Sequence, residues 1–179
     1  MEFAELDPSI IIELRYAGPR NLVGRAFYPA DAKALLRPDA AAALKRVAER
    51  LEPLGFKLKV WDAYRPESAH RVLWNAFPNA QYVAQPEEGS KHSRGCAVDV
   101  TLADPKTGRE LEMPGDHDEF GDHTTTHSDE PSTEAKRHRD ILRLAMTAEG
   151  WNAVSLEWWH YNWKDWEKWP ISDAPLTSS

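Results

Sequence analysis

A single cysteine, Cys96, stands in 179 residues, so no disulfide can close within the chain. That excludes a small stapled scaffold and favours the cytosol without fixing the compartment. No run of about 18 apolar residues occurs, which argues against a membrane-spanning helix. Positive charge is scarce: 22 Lys and Arg against 29 Asp and Glu leave a formal net charge of −7. An acidic domain lacks the basic face that nucleic acid, anionic membranes or acidic wall polymers demand, so none of these is expected as a partner. The opening MEFAELDPSI carries no basic segment ahead of an apolar stretch, and no secretory leader is expected from it. Internal repeats, low-complexity tracts and the helical zinc motif HExxH are all missing.

What remains is ordinary globular material, 41% hydrophobic and 28% charged. A chain of this length buries roughly two-thirds of its unfolded surface and needs no metal merely to fold. One domain is expected over residues 1–171, with a disordered tail over 172–179. Leu44, Val47, Leu51 and Leu54 recur at helical spacing between Pro38 and Gly55, which predicts an amphipathic helix over 38–54. Phe56-Lys-Leu-Lys-Val-Trp61 alternates strictly and predicts a half-buried strand. A second helix is expected from Arg65-Pro66, with Ala69, Val72, Leu73 and Ala76 inward. Residues 79–94 read as irregular, and 96–102 as a strand running into the Asp104-Pro105 turn, followed by a return strand through Leu111 and Met113. Residues 116–129 form a polar loop, and a third helix is predicted over 131–146 with Gly150 as its stop. A last strand is expected over 154–159. Short links between neighbouring strands favour an α+β fold with a mainly antiparallel sheet.

Two segments carry chemistry. The first is Ser90-Lys-His-Ser-Arg-Gly-Cys-Ala-Val-Asp99, and the second is Glu157-Trp-Trp-His160. Catalytic zinc commonly takes three protein ligands and keeps a fourth position open. His92, Asp99 and His160 supply such a set, and Glu157 is left over as a general base. On a regular strand, residues three apart face opposite sides, so Glu157 and His160 can share a site only if the strand bends or ends between them. His160 is therefore expected just past the strand end. His117, His123 and His127 form a rival group in the polar loop, and the residues alone leave the metal position open between the two sets. Cys96 shares a strand face with Val98 and reads as a small buried residue, not a ligand. Six of the eight tryptophans lie from Trp151 onward, and they read as packing for the late strand in preference to a sugar-binding platform.

At these segments the sequence resembles the D-alanyl-D-alanine dipeptidases of the VanX type, zinc enzymes that share a fold with D,D-carboxypeptidases and the Hedgehog signalling domain. Five blocks carry the resemblance in order: Leu14-Arg-Tyr-Ala17 with Asn21, Gly24 and Tyr28; Asp62-Ala-Tyr-Arg-Pro66; 90–101; 113–120; and Glu157-Trp-Trp-His-Tyr161. The resemblance implies one zinc ion held by His92, Asp99 and His160, with Glu157 as base and Arg65 as the cation facing the oxyanion. It implies that Asp118 holds the substrate ammonium, that Ser90 and Tyr16 line the pocket, and that Asp62 orients Arg65. It further implies hydrolysis of a small free D-dipeptide in the cytoplasm. It also admits a D,D-carboxypeptidase or endopeptidase acting on longer peptidoglycan stems, or a zinc-binding domain without turnover; Glu157 and Arg65 beside the ligands favour an enzyme. One departure stands out. Where the family has Met-Gly-x-x-Phe-Asp, this chain reads Met113-Pro-Gly-Asp-His-Asp118, with His117 at the Phe position.

Overall fold

A computed structural model describes residues 2–177. Its strands in chain order are β1 (Ala4–Glu5), β2 (Ile11–Ile12), β3 (Leu35–Leu36), β4 (Lys57–Asp62), β5 (Ala97–Ala103), β6 (Trp151–Ala153) and β7 (His160–Trp163). The helices are α1 (Pro38–Leu51), α2 (Glu67–Ala76) and α3 (Thr133–Ala148). Strands β2-β4-β5-β7-β6 form one five-stranded sheet, and β1 pairs with β3 in a second, two-stranded one. Every pairing is antiparallel except β2 with β4. The α+β expectation therefore holds.

Local chemistry explains most element ends. Pro38 opens α1, where its missing N–H costs nothing. The helix stops at Leu51, not Leu54: Pro53 tightens the next three residues into a 3-10 turn, and Gly55 leaves it at φ 85°. Leu54 consequently points outward at 61% exposure. Ser132 caps α3, its hydroxyl oxygen accepting from the Ala135 N–H at 3.1 Å. On α2 the buried residues are His70 and Leu73; of the four expected inward, Leu73 is buried, Ala69 and Val72 are only partly covered and Ala76 is exposed.

Two predicted strands are corrected. The return strand through Leu111 and Met113 is reduced to a single bridge between Ala103 and Glu110. The last strand does not run over 154–159; it begins at His160. Trp158 and Trp159 are buried, but in a turn whose backbone bonds go elsewhere, from the Trp158 N–H to the Thr124 carbonyl and from the Val100 N–H to the Trp159 carbonyl.

The main core packs α1 and α3 against the sheet through Leu44, Val47, Leu51, Val98, Val100, Leu102, Leu142 and Met146. Trp151, Trp158, Trp159 and Trp163 belong to it, as the packing interpretation of the tryptophans expects. Cys96 is buried on the core side, and burial pushes its thiol up to about 12. A smaller cluster gathers Tyr16, Tyr28, Tyr64, Leu73, Val83 and Leu176. The segment after Ser172, expected to be a disordered tail, lies against this cluster: the Leu176 carbonyl accepts from the Lys33 N–H and the Ala174 carbonyl from the Tyr64 hydroxyl. Ser178 and Ser179 lie outside the described residues. No helix among the described residues is long and apolar enough to cross a membrane.

Candidate active site

Register across three strands builds the floor of the site. Asp62 on β4 faces Asp99 on β5, and Asp99 faces His160 on β7. The β4–β5 register slips between Val60 and Asp62, which brings Asp62 into that row. His92 enters from a 3-10 turn, His92–Arg94, that leads into β5. Gly95 ends this turn at φ 71°, and a Cβ there would lie 2.6 Å from the Phe3 ring. The turn is pinned from outside: the Arg37 Nε–H donates to the Arg94 carbonyl at 2.7 Å, and the Arg65 N–H donates to the His92 carbonyl at 3.1 Å.

Three ligand-type atoms converge. Asp99 Oδ1 lies 3.0 Å from His160 Nδ1 and 3.3 Å from His92 Nε2, and the two ring nitrogens are 3.2 Å apart. The far nitrogen of each ring is already engaged. His92 Nδ1 faces the Ala63 carbonyl at 2.7 Å, and His160 Nε2 faces Asn162 Oδ1 at 2.7 Å. Both partners are acceptors, so each neutral ring donates outward and turns a bare lone pair inward. Two lone pairs and a carboxylate oxygen within hydrogen-bond distance of one another repel unless a cation sits among them. The donor set of two imidazoles and one carboxylate suits zinc, with outer partners that fix both ring orientations.

Glu157 and His160 share the site because a turn, not a strand, joins them. The His160 N–H donates to the Glu157 carbonyl at 3.3 Å, and Glu157 Oε2 lies 3.7 Å from His160 Nδ1. Burial, reinforced by the charges of Asp99 and Asp118, pushes the Glu157 carboxyl up to about 8 despite the opposing pull of His160.

Arg65 is buried and held on three sides. Its Nε and Nη2 donate to Asp62 Oδ2 at 3.1 and 2.8 Å, and its Nη1 donates to His70 Nδ1 at 2.9 Å. Tyr28 closes the other oxygen of Asp62 with a hydroxyl donated at 2.7 Å. An arginine has five N–H groups; three are spent here, leaving one on each terminal nitrogen. The guanidinium also lies 5.2 Å from the Tyr16 ring centre.

Asp118 occupies the opposite wall at φ 57°, in the left-handed region that non-glycine residues seldom adopt. The Tyr16 hydroxyl donates to Asp118 Oδ2 at 2.6 Å. Ser90 is buried, and its Oγ accepts from the His92 N–H at 3.1 Å. All of these side chains except Asp62 and Tyr28 border one cleft of about 340 Å³, at the small end for ligand sites. Its remaining lining includes Tyr82, Val83, Ala84, Val154, Ser155 and Leu156.

The rival histidine group does not assemble. His123 bonds Glu119 at 2.8 Å and His127 is exposed, while His117 turns inward to Asp99. Residue patterns missed three contributors, His70, Asn162 and the inward role of His117. His70 had a weak signal, a histidine three residues before Leu73 on one helix face. Asn162 had none, because its contact follows from β7 register.

Comparison with known proteins gives the family. The chain is 40% identical over 163 residues to a D-alanyl-D-alanine dipeptidase of Escherichia coli, covering 90% of this chain and 82% of that one. It is 35% identical over 182 residues to a D-alanyl-D-alanine dipeptidase of Streptomyces coelicolor, covering 90% and 89%. Among solved structures, the LdcB LD-carboxypeptidase superposes with a TM-score of 0.51 at 18% identity, covering 93% of this chain and 71% of that one, which supports the fold. The family model described as D-ala-D-ala dipeptidase matches residues 1–173, and the chain belongs to that family of peptidases.

Proposed function

We propose that this protein hydrolyses the free dipeptide D-alanyl-D-alanine to two D-alanines at a single zinc centre held by His92, Asp99 and His160. The observation that carries the proposal is the convergence of His92 Nε2, Asp99 Oδ1 and His160 Nδ1 beside Glu157, on the same cleft as Arg65. When bound, zinc supplies the positive charge that polarises an amide carbonyl and acidifies water. Glu157 takes a proton from the attacking water and returns it to the leaving amine. Its carboxylate lies 3.7 Å from His160 Nδ1, close enough to the metal position for both transfers. Arg65 directs its two uncommitted N–H groups at the oxyanion, held in place by Asp62 and His70. Asp118 receives the substrate ammonium on Oδ1, because Tyr16 occupies Oδ2. Ser90 lines the pocket beside His92.

The test is release of D-alanine by the zinc-loaded protein from D-Ala-D-Ala and from the same dipeptide with its amine acetylated. Cleavage of the free dipeptide alone supports the proposal. Cleavage of both, or of the acetylated one only, moves the chain to a carboxypeptidase activity. Cleavage of neither removes the proposed substrate.

A further inference from the structure

The two oxygens of Asp99 are divided between different partners. Oδ1 faces the His92 and His160 nitrogens at 3.3 and 3.0 Å. Oδ2 faces His117 Nε2 at 2.8 Å. The His117 side chain is 1% exposed and its ring is boxed in by aromatics, with Trp61 at 5.3 Å, Tyr16 at 5.5 Å and Trp159 at 6.2 Å between centroids. Its backbone N–H is fixed by Asp116 Oδ1 at 2.9 Å. The imidazole therefore cannot swing away, and the carboxylate cannot rotate without losing a buried, charge-assisted hydrogen bond. The same Nε2 lies 3.6 Å from Asp118 Oδ1, so one ring stands between the metal side and the ammonium side of the cleft.

We propose that His117 is a positioning residue that donates Nε2–H to Asp99 Oδ2, confining Asp99 to one-oxygen ligation through Oδ1 and fixing the distance between that ligand and Asp118. The donation needs only a proton on Nε2 and is available to both the neutral and the cationic ring. Without it, Asp99 Oδ2 becomes free to turn toward the metal and chelate with both oxygens, which raises the coordination number and removes the open position that hydrolysis uses. The inference rests on the metal centre proposed above.

The experiment compares wild type, H117F and H117Q. Phe fills the space without a donor; Gln keeps an N–H at similar reach. Zinc affinity is measured by competition with a chromophoric chelator, and the visible spectrum is recorded with cobalt(II) in place of zinc. Loss of the donor weakens zinc binding by about 10–100-fold in H117F, and H117Q recovers to within about threefold. The cobalt band of H117F loses intensity as coordination number rises, while that of H117Q matches wild type. If H117F binds zinc as tightly as wild type with an unchanged cobalt band, the positioning role is overturned and the metal centre stands. If wild type takes up no zinc at all, the metal centre itself fails. If wild type binds two zinc ions per chain and H117F one, His117 is a ligand and the inference is overturned. Should H117F fail to fold, imidazole proton–nitrogen correlation spectra of zinc-loaded wild type decide: a slowly exchanging Nε2–H on His117 supports the role, and a bare Nε2 overturns it.

Discussion

His70 makes acid stability a test of how Arg65 is held. The residue is 2% exposed, with Nδ1 at 2.9 Å from Arg65 Nη1 and Nε2 at 2.7 Å from the Ala84 carbonyl. A guanidinium only donates and a carbonyl only accepts, so the neutral ring protonated on Nε2 satisfies both. A second proton would set N–H against N–H and cation against cation. Burial, with the adjacent Arg65 charge, holds His70 down at about 3 from its usual 6.5. The unfolded chain takes that proton near 6.5 and the folded chain only near 3. The stabilisation is thus complete above about pH 6.5 and is lost as pH falls toward 3. Each unit is worth about 1.4 kcal/mol, so by pH 5.0 the loss is about 2 kcal/mol. The assay is urea unfolding of wild type and H70Q, both stripped of metal, at pH 7.5 and 5.0. Gln keeps an acceptor for Arg65 and a donor for Ala84 but does not titrate. Wild type should lose about 2 kcal/mol more than H70Q between the two conditions. Parallel losses would refute the neutral, Arg65-accepting assignment.

Three further outcomes follow from the geometry. Arg65→Lys keeps the charge but loses the fork that Asp62 and His70 grip, and should lower kcat/KM for the dipeptide about 100–1,000-fold with an unchanged circular dichroism spectrum. Gly95→Ala forces a side chain into the left-handed region and against Phe3, and should cost about 1–3 kcal/mol in thermal unfolding while weakening zinc affinity through the displaced His92 turn. Glu110 is desolvated but accepts from Trp61, Lys59 and Arg15, which together hold it down at about 2 from 4.5. Its stabilisation is present above pH 4.5 and is lost as pH falls to 2, so E110Q should cost about 2–3 kcal/mol at pH 7 and little at pH 2, read by denaturant unfolding.

Elements with a clear period or a stop signal were legible in the residues. Helix α1 stands where helical spacing puts it, one face on the core, and strands β4 and β5 stand where alternation puts them; but the strand expected to be half-buried is covered on both faces, with five of the six residues of β4 and all seven of β5 buried. The segment before His160 was not legible. Its aromatics suit a strand, yet Trp158 and Trp159 earn their burial by filling the core from a turn. The same turn resolves the spacing problem of Glu157 and His160, since strand alternation no longer separates them. The ligand-type residues were readable as types, but their row was not: that Asp62, Asp99 and His160 lie side by side is a fact of cross-strand register. His117 looked like a loop histidine because nothing local announces a partner 18 residues away.

Charge explains why these groups tolerate one another and what the site asks of a ligand. Asp62, Asp99, Asp118 and Glu157 crowd one small region, and Arg65 is the permanent cation among them. Asp62 is matched by Arg65 at 2.8 Å, which leaves three carboxyl groups short of positive charge in a poorly solvated cleft. The protein answers by holding protons. Glu157 is pushed up to about 8 by burial and its acidic neighbours. Burial pulls His117 down, but Asp118 and Asp99 outweigh it and raise the ring to about 9. Were a divalent ion held among His92, Asp99 and His160, its charge would relieve that demand on one side and favour the ionised, proton-accepting form of Glu157. On the other side Asp118 has only the His117 ring, which it shares with Asp99: Nε2 lies 3.6 Å from Asp118 Oδ1 and 2.8 Å from Asp99 Oδ2. A dipeptide with a free amine would add a full cation beside Asp118, whereas an acetylated one would set a neutral amide there and leave the carboxylate with only the shared His117 ring. Discrimination between the two substrates should accordingly collapse in Asp118→Asn, where the carboxylate charge is gone; undiminished preference for the free amine in that variant would place the ammonium elsewhere.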